Sequence, residues 1–312
     1  MKKLNFIIKY GLALLLLSFY SCESWLNVTP SDRLSEEMLF NDREGFVKAL
    51  NGVYIELNTN ELYGRNLTAG ALDVMGQYYS VASSSHAFYN YGGLVYTGND
   101  EKALFDNMWQ KCYAVIACCN TIIEKCDENK AGLSPVWRGS IKGEALALRA
   151  MLHFDMLRLF GPLTSELDKE SIPYQTNSDQ TVTPLLSGSE VVGLILDDLK
   201  NAVGLLKDTD PYFVEEEFSD TDLNYRRFRM NYFAAKGLMA RVQLWGGDKE
   251  KAAITVKEVI AEGQAEGAEF FPFVTNSEAT SSNPDRVFYS EVLFGTYHSS
   301  REKLHEDLFA PT

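Results

Sequence analysis

Residues 143–162, GEALALRAMLHFDMLRLFGP, decide the fold class of this 312-residue chain. Leu148, Leu152 and Leu159 recur at helical spacing on one face, while Met151 and Phe154 lie on the opposite side. A helix that is apolar around most of its circumference must be packed by neighbours on several sides. The Gly-Pro pair at the end of the stretch stops the helix, because glycine can cap and proline cannot continue it. The stretch therefore predicts the central helix of an all-α protein.

Further helical patterns flank this stretch on both sides. They predict helices at about residues 42–57, 101–129 and 188–206, and a helix pair within residues 230–261. The pair surrounds a Gly-Gly-Asp turn and resembles the second half of a tetratricopeptide repeat. Because one such pair cannot bury its own faces, we expect it to stack on the helix pairs of residues 101–206. Residues 270–312 mix aromatic residues with Gly and Ser, which predicts a strand-like or irregular segment.

The first residues have the layout of a bacterial lipoprotein signal. Lysines precede an apolar run, residues 12–20, that is too short for a comfortable membrane span. Ser21 then precedes Cys22, which predicts a signal peptide over residues 1–21 and lipid attachment at Cys22. Phe19 departs from the usual leucine, so an ordinary signal peptide or a first helix containing a cysteine are the alternatives. Several acyl chains would hold the exported protein firmly on a bilayer.

The net charge of the chain restricts its partners. The formal net charge is −14 at pH 7, and removal of residues 1–21 would make the chain more acidic still. Binding to nucleic acid relies on cationic contacts to phosphates, so nucleic acid is excluded as a partner. Direct binding to anionic lipid headgroups is disfavoured for the same reason, which leaves the predicted lipid as the membrane contact.

Neither the cysteines nor the acidic residues form a metal-site pattern. Cys112, Cys119 and Cys126 are spaced by seven on one helical stripe, and neighbours about 10.5 Å apart can neither pair as disulfides nor converge on a metal. We predict that they and Cys118 are small buried hydrophobic residues. The acidic connection of residues 208–222 lacks the glycine of a calcium-binding loop, so a solvated loop is predicted there.

Residues 58–100 form the predicted ligand-binding segment. They are rich in Gly, Ser, Asn and Tyr without a persistent helical period, and long connections of this kind are usually either functional or disordered. Flat aromatic faces suit sugar rings, and a few polar groups suit sugar hydroxyls. The candidates are therefore Asp73, Gln77, Tyr78, Tyr79, Phe88, Tyr89, Asn90 and Tyr91. The alternative is that several of these aromatic residues pack the loop onto the helices.

Catalytic patterns are not found in the sequence. It contains no Gly-Xaa-Ser-Xaa-Gly elbow, no Walker loop and no zinc-type histidine pair, and its four histidines are scattered. A glycosidase needs two carboxylates that face each other across a cleft, and no pair is set apart from the general acidic surface. We therefore expect neither an enzyme nor a cofactor.

Several segments together resemble the SusD/RagB family of surface glycan-binding lipoproteins of the Bacteroidetes. The matching segments, in the family's order, are residues 22–30 (CESWLNVTP), the helix pattern of Trp109, Tyr113, Ile116 and Asn120, residues 143–162, residues 234–252 (AAKGLMARVQLWGGDKEKA) and residues 291–294 (EVLF). They span nearly the whole of residues 22–312. The combination is far more specific than any one segment.

The resemblance implies a tetratricopeptide-like helical scaffold of SusD type with long irregular loops, formed by residues 22–312. It implies a lipid-anchored protein of the outer membrane, facing the cell surface, that captures oligosaccharide and partners a SusC-like TonB-dependent transporter. Family members are usually longer, so we expect the SusD-like domain to be incomplete at its C-terminus. The alternative is a helical repeat scaffold that binds only protein partners at the outer membrane, without glycan.

Overall fold

A computed structural model describes residues 36–179, 181–265 and 268–309. The chain divides into two compact units, residues 1–39 and 40–312, and the described part of the first unit is the short helix α1, Glu36–Leu39. The predicted signal peptide and Cys22 lie outside the described residues.

The second unit is built from helices, which confirms the prediction of an all-α fold. Its two short strands pair as an antiparallel ribbon. The elements, in chain order, are α2 (Arg43–Leu57), α3 (Ala71–Met75), α4 (Tyr89–Gly92), α5 (Asn99–Glu128), α6 (Pro135–Phe160), α7 (Gly188–Thr209), α8 (Asp220–Asn224), α9 (Tyr232–Trp245), α10 (Lys249–Gly263), β1 (Gln264–Ala265), β2 (Ala268–Glu269), α11 (Asn276–Ala279) and α12 (Arg301–Phe309). The nine-residue helix α12 departs from the strand-like or irregular segment expected at residues 270–312.

Helix α6 is the central element of the unit. It packs against α5 on one side and α7 on another, and α9 packs against α7 and α10. Residues 143–154 are all buried, as the apolar circumference predicts. Between α9 and α10, Gly247 has a φ of +93° that only glycine adopts without strain. Asp248 then caps α10 by accepting a hydrogen bond from Lys251 N at 3.0 Å.

Helix α6 begins eight residues before the predicted start at Gly143. Ser134 caps it by accepting a hydrogen bond from Trp137 N, and Pro135 occupies the first helical position. Gly139 and Gly143 lie inside the helix, where they let α7 approach closely. A Cβ atom at Gly139 would lie 2.6 Å from Thr209 Cγ2, and one at Gly143 would lie 2.7 Å from Leu206 Cγ. These glycines are therefore packing residues of α6.

We expect Gly143→Ala to destabilise the protein, because Leu206 is fully buried and cannot move away from a new Cβ atom. Overpacking costs about 1–3 kcal/mol, which exceeds the gain of roughly 0.5–1 kcal/mol from replacing a helical glycine. Gly193→Ala in α7 is the matched control, since a Cβ atom there meets open space and should stabilise the helix. Urea unfolding followed by circular dichroism compares the two variants. Equal stability of both would contradict the close approach of α6 and α7.

The cysteines of α5 agree with the prediction in three cases and depart from it in one. Cys112, Cys119 and Cys126 are free and buried, as expected for small hydrophobic residues on one stripe. Cys118 is exposed, so the prediction of a buried residue is wrong for this position. It lies one position before Cys119, and adjacent residues of a helix point about 100° apart, so both cannot face the same neighbour.

Candidate functional site

Residues 58–100 fold into a turn-rich segment with a small apolar core of its own. The core consists of Ala71, Val74, Phe88 and Tyr91. Phe88 is 3% exposed and Tyr91 is 2% exposed, and their rings meet edge to face with centroids 5.8 Å apart. Burial, together with nearby Glu101 and Asp100, raises the pKa of Tyr91 to about 12. Phe88 and Tyr91 therefore pack this small core, and Phe88 also lines the cavity described below.

The polar candidates hold this segment in shape. Gln77 Nε2 donates to Gly92 O at 3.0 Å, which ties the end of α3 to the end of α4. Asn90 Nδ2 donates to Glu101 Oε1 at 2.7 Å, which joins α4 to the first turn of α5. Each of these side chains already has a protein partner. Their structural effect is to fix the aromatic residues that surround them.

The remaining tyrosine candidates reach the surface. Tyr78, Tyr79 and Tyr89 are all exposed, Tyr78 most fully at 78%. The hydroxyl of Tyr79 donates to Asp73 Oδ2 at 3.2 Å, so one predicted polar group directly orients one predicted aromatic ring. The structure thus divides the eight candidates into a packed pair, anchoring polar groups and exposed tyrosines.

A cavity of about 470 Å³ adjoins Tyr79. It lies between residues 79–88 of the loop and helix α12, whose Phe309 meets the Tyr79 ring edge to face at 5.2 Å. The contribution of α12 to this cavity was not predicted from the sequence. The available signal was Leu304 and Leu308, which stand four residues apart in an otherwise polar stretch and indicate one apolar face of a short helix.

Two buried charge clusters include residues of α6. In the first, Arg226 pairs with Asp210 through two hydrogen bonds of 3.0 and 2.7 Å and also contacts Glu144. Tyr54 donates to Glu144 at 2.7 Å. Asp210 is fully buried, so the expectation of a solvated loop is wrong for this residue, because its carboxylate neutralises a buried arginine and caps the start of α9 through Tyr232 N.

The second cluster joins α5, α6 and α7. Arg149 donates to both oxygens of Asp198 at 2.7 Å and to Asn120 Oδ1 at 2.9 Å. Tyr174 donates to the same Asp198 carboxylate. All four residues are buried. The ion pair of Arg149 with Asp198 and its hydrogen bonds offset the cost of placing two charges in the core. This cluster fixes the helices relative to one another.

The described residues contain neither a metal-type cluster nor a membrane-spanning helix. Across residues 36–179, 181–265 and 268–309, no three His, Cys, Asp or Glu side chains converge as metal ligands. In the same ranges, no helix combines the length and the apolar character needed to cross a bilayer.

The helical-repeat scaffold and its loop correspond to a known family. Residues 24–244, more than half of the chain, match the family model SusD-like_3, which is described as starch-binding associating with outer membrane. The chain belongs to this SusD-like family, as the resemblance predicts.

Individual relatives agree with this assignment. The chain is 25% identical to SusD-like protein P2 of Formosa agariphila, over 83% of this chain and 46% of that protein. It is similar to the crystal structure of a SusD-like carbohydrate-binding protein of Bacteroides vulgatus, with a TM-score of 0.60, 25% identity, and coverage of 76% of this chain and 47% of that one. A SusD superfamily structure from Bacteroides thetaiotaomicron matches with a TM-score of 0.59 at 21% identity, over 84% and 54% of the two chains. The chain therefore spans about half the length of these relatives.

Proposed function

We propose that this protein is an outer-membrane lipoprotein that captures oligosaccharide or polysaccharide for nutrient uptake and has no catalytic role. The observation that carries the proposal is the set of exposed tyrosines, Tyr78, Tyr79 and Tyr89, on a loop fixed by internal hydrogen bonds. Preorganised aromatic faces bind sugar rings at low entropic cost, because little motion is lost on binding. The family description, which names starch binding and the outer membrane, supports the same class of ligand and the same location.

The proposal includes a membrane anchor and a protein partner. Acyl chains on Cys22 would hold the protein on the membrane, and a SusC-like TonB-dependent transporter would receive the captured glycan. Membership of the SusD-like family supports the partner. Mass spectrometry of the mature protein tests the anchor: an acylated N-terminal Cys22 is expected, and an unmodified cysteine would contradict it.

We expect the variant with Tyr78→Ala, Tyr79→Ala and Tyr89→Ala to lose about tenfold or more in glycan affinity, since three stacking faces are removed. The folded state should be kept, because the substituted side chains are exposed. Retardation in native gels that contain soluble starch or other neutral polysaccharides measures the affinity. Val95→Ala in the same loop is the matched control, as Val95 is also exposed.

Unchanged retardation of the triple variant would contradict glycan capture by the loop. Co-purification with the membrane partner supplies a second test. A triple variant that no longer co-purifies, together with a wild-type protein that binds no glycan, would favour the scaffold that binds only protein.

A further inference from the structure

A second group of aromatic residues is exposed on different elements of the protein. Tyr225, Tyr289 and Tyr297 surround the ring of Phe228, with centroid distances of 6.3, 6.2 and 5.8 Å. Tyr225 is 59% exposed and Tyr297 is 67% exposed. Contiguous exposed aromatic surface is typical of interaction sites. None of its residues belongs to the loop of residues 58–100.

The cluster is held rigidly from below. The guanidinium of Arg227 lies 5.0 Å from the centre of the Tyr289 ring and donates to Phe270 O at 2.7 Å. Asp285 accepts hydrogen bonds from Val287 N at 3.0 Å and from Tyr289 N at 2.7 Å. Phe288 adopts a φ of +50°, which is strained for a bulky aromatic residue and persists only where the surroundings enforce it.

One end of the cluster opens into a small cavity. Tyr225 lines a cavity of about 230 Å³ together with Trp137 and Phe218, whose rings are 4.5 Å apart. Arg43 lies over the Trp137 ring at 4.7 Å. The Nε1–H of Trp137 is buried and has no acceptor among the described residues. A buried donor without a partner costs about 1–3 kcal/mol, and the Trp137 ring that carries it lines the cavity.

We propose that these residues form a second saccharide site, the aromatic strip, defined as Trp137, Phe218, Tyr225, Phe228, Tyr289 and Tyr297. A linear neutral oligosaccharide lies along the strip with its rings on the aromatic faces. Its terminal ring enters the cavity, where it packs against Trp137 and one of its hydroxyl groups donates a hydrogen bond to Asp222, which also lines the cavity. The inference rests on the proposed function and adds a site to it.

Fluorine NMR of the protein labelled with 5-fluorotryptophan tests the strip directly. The chain has four tryptophans, and Trp137→Phe assigns the resonance of Trp137. The probes are maltoheptaose, cellohexaose, xylohexaose and laminarihexaose, each added separately to the full chain. At least one probe should shift the Trp137 resonance and leave those of Trp109 and Trp245 unmoved. The loop variant with Tyr78→Ala, Tyr79→Ala and Tyr89→Ala should show the same shift at saturating probe.

Substitutions in the strip supply the second readout. In the variant with Tyr225→Ala, Tyr289→Ala and Tyr297→Ala, the probe should bind the strip about tenfold or more weakly, measured as the probe concentration that shifts the Trp137 resonance. Phe273→Ala, at another exposed aromatic residue of the C-terminal stretch, should bind as the wild type does. If the strip variant fails to fold, the Trp137 resonance of the wild-type protein still decides the question.

The outcomes separate failure of the strip from failure of the proposed function. A wild-type protein that binds none of the four probes would overturn both. Binding that leaves the Trp137 resonance unmoved and survives the strip substitutions would overturn the strip alone. A strip variant that keeps its glycan affinity but no longer associates with the outer-membrane partner would also overturn it, since the strip would then be a protein-docking surface.

Discussion

Arg226→Met is expected to lower the free energy of unfolding by about 3–5 kcal/mol, because it leaves buried Asp210 without its cation and Glu144 with Arg229 alone. Arg226 is 2% exposed and lies between Asp210 and Glu144. Burial alone would raise the pKa of Glu144, yet Arg229 and Arg226 outweigh it and hold that pKa below its usual value. Loss of Arg226 therefore removes a partner on which the ionised state of Glu144 depends.

Urea unfolding at pH 7, followed by circular dichroism, measures this effect. Lys251→Met is the matched control, because the ion pair of Lys251 with Asp248 is exposed and screened by water. The control should unfold at the urea concentration of the wild type. Unfolding of Arg226→Met at that same concentration would show that the buried cluster does not stabilise the helices.

Stability is expected to fall steeply on acidification because of His153. This side chain is fully buried, and burial, with a smaller contribution from Arg149, lowers its pKa to about 3. Nε2 accepts from Gln175 N at 3.0 Å, and Nδ1 lies 3.0 Å from Arg149 O, so the neutral ring with its proton on Nδ1 satisfies both contacts. Protonation would place a second charge beside buried Arg149 and break the bond to Gln175.

The direction of the pH effect follows from the different pKa values of His153 in the unfolded and the folded protein. The unfolded chain takes up a proton at His153 below a pH of about 6.5, whereas the folded protein does not do so until a pH of about 3. Above about pH 6.5, neither state is protonated at His153, and this residue does not lower the free energy of unfolding. Below that pH, the free energy of unfolding falls by up to about 1.4 kcal/mol per pH unit as the pH decreases towards 3.

His153→Gln isolates this contribution, since glutamine cannot take up a proton and its side-chain oxygen can accept from Gln175 N. The difference in unfolding free energy between the wild type and this variant should shrink as the pH falls from 7.5 to 5. The matched control is His305→Gln, at an exposed histidine of α12. A difference between wild type and His153→Gln that stays constant with pH would contradict the burial of a neutral ring.

The helices could be predicted from sequence because their signals are local. The apolar circumference of α6 and the Gly-Gly-Asp turn before α10 depend on residues within one or two helical turns. The start of α6 could not be predicted in this way. Gly143 can end a helix or allow close packing, and only its distance to Leu206 in a distant helix decides between these roles.

The candidate site was predictable as a segment and not as a set of contacts. The Gly, Ser, Asn and Tyr content of residues 58–100 indicated a long aromatic connection. Burial of Tyr91 and exposure of neighbouring Tyr89 depend on α3 and α5, which pack around them. The role of Asp210 could not be predicted from the local sequence either. In the sequence it is one acidic residue among several, and only Arg226, sixteen positions later, makes it a buried ion-pair partner.

The most direct test of the central claim is a mild-detergent pull-down of the tagged protein from its native outer membrane, followed by mass spectrometry. Our account predicts that the protein is recovered from the membrane fraction together with a large TonB-dependent β-barrel transporter. Recovery of folded, membrane-bound protein without any such transporter would contradict the proposed role in glycan uptake.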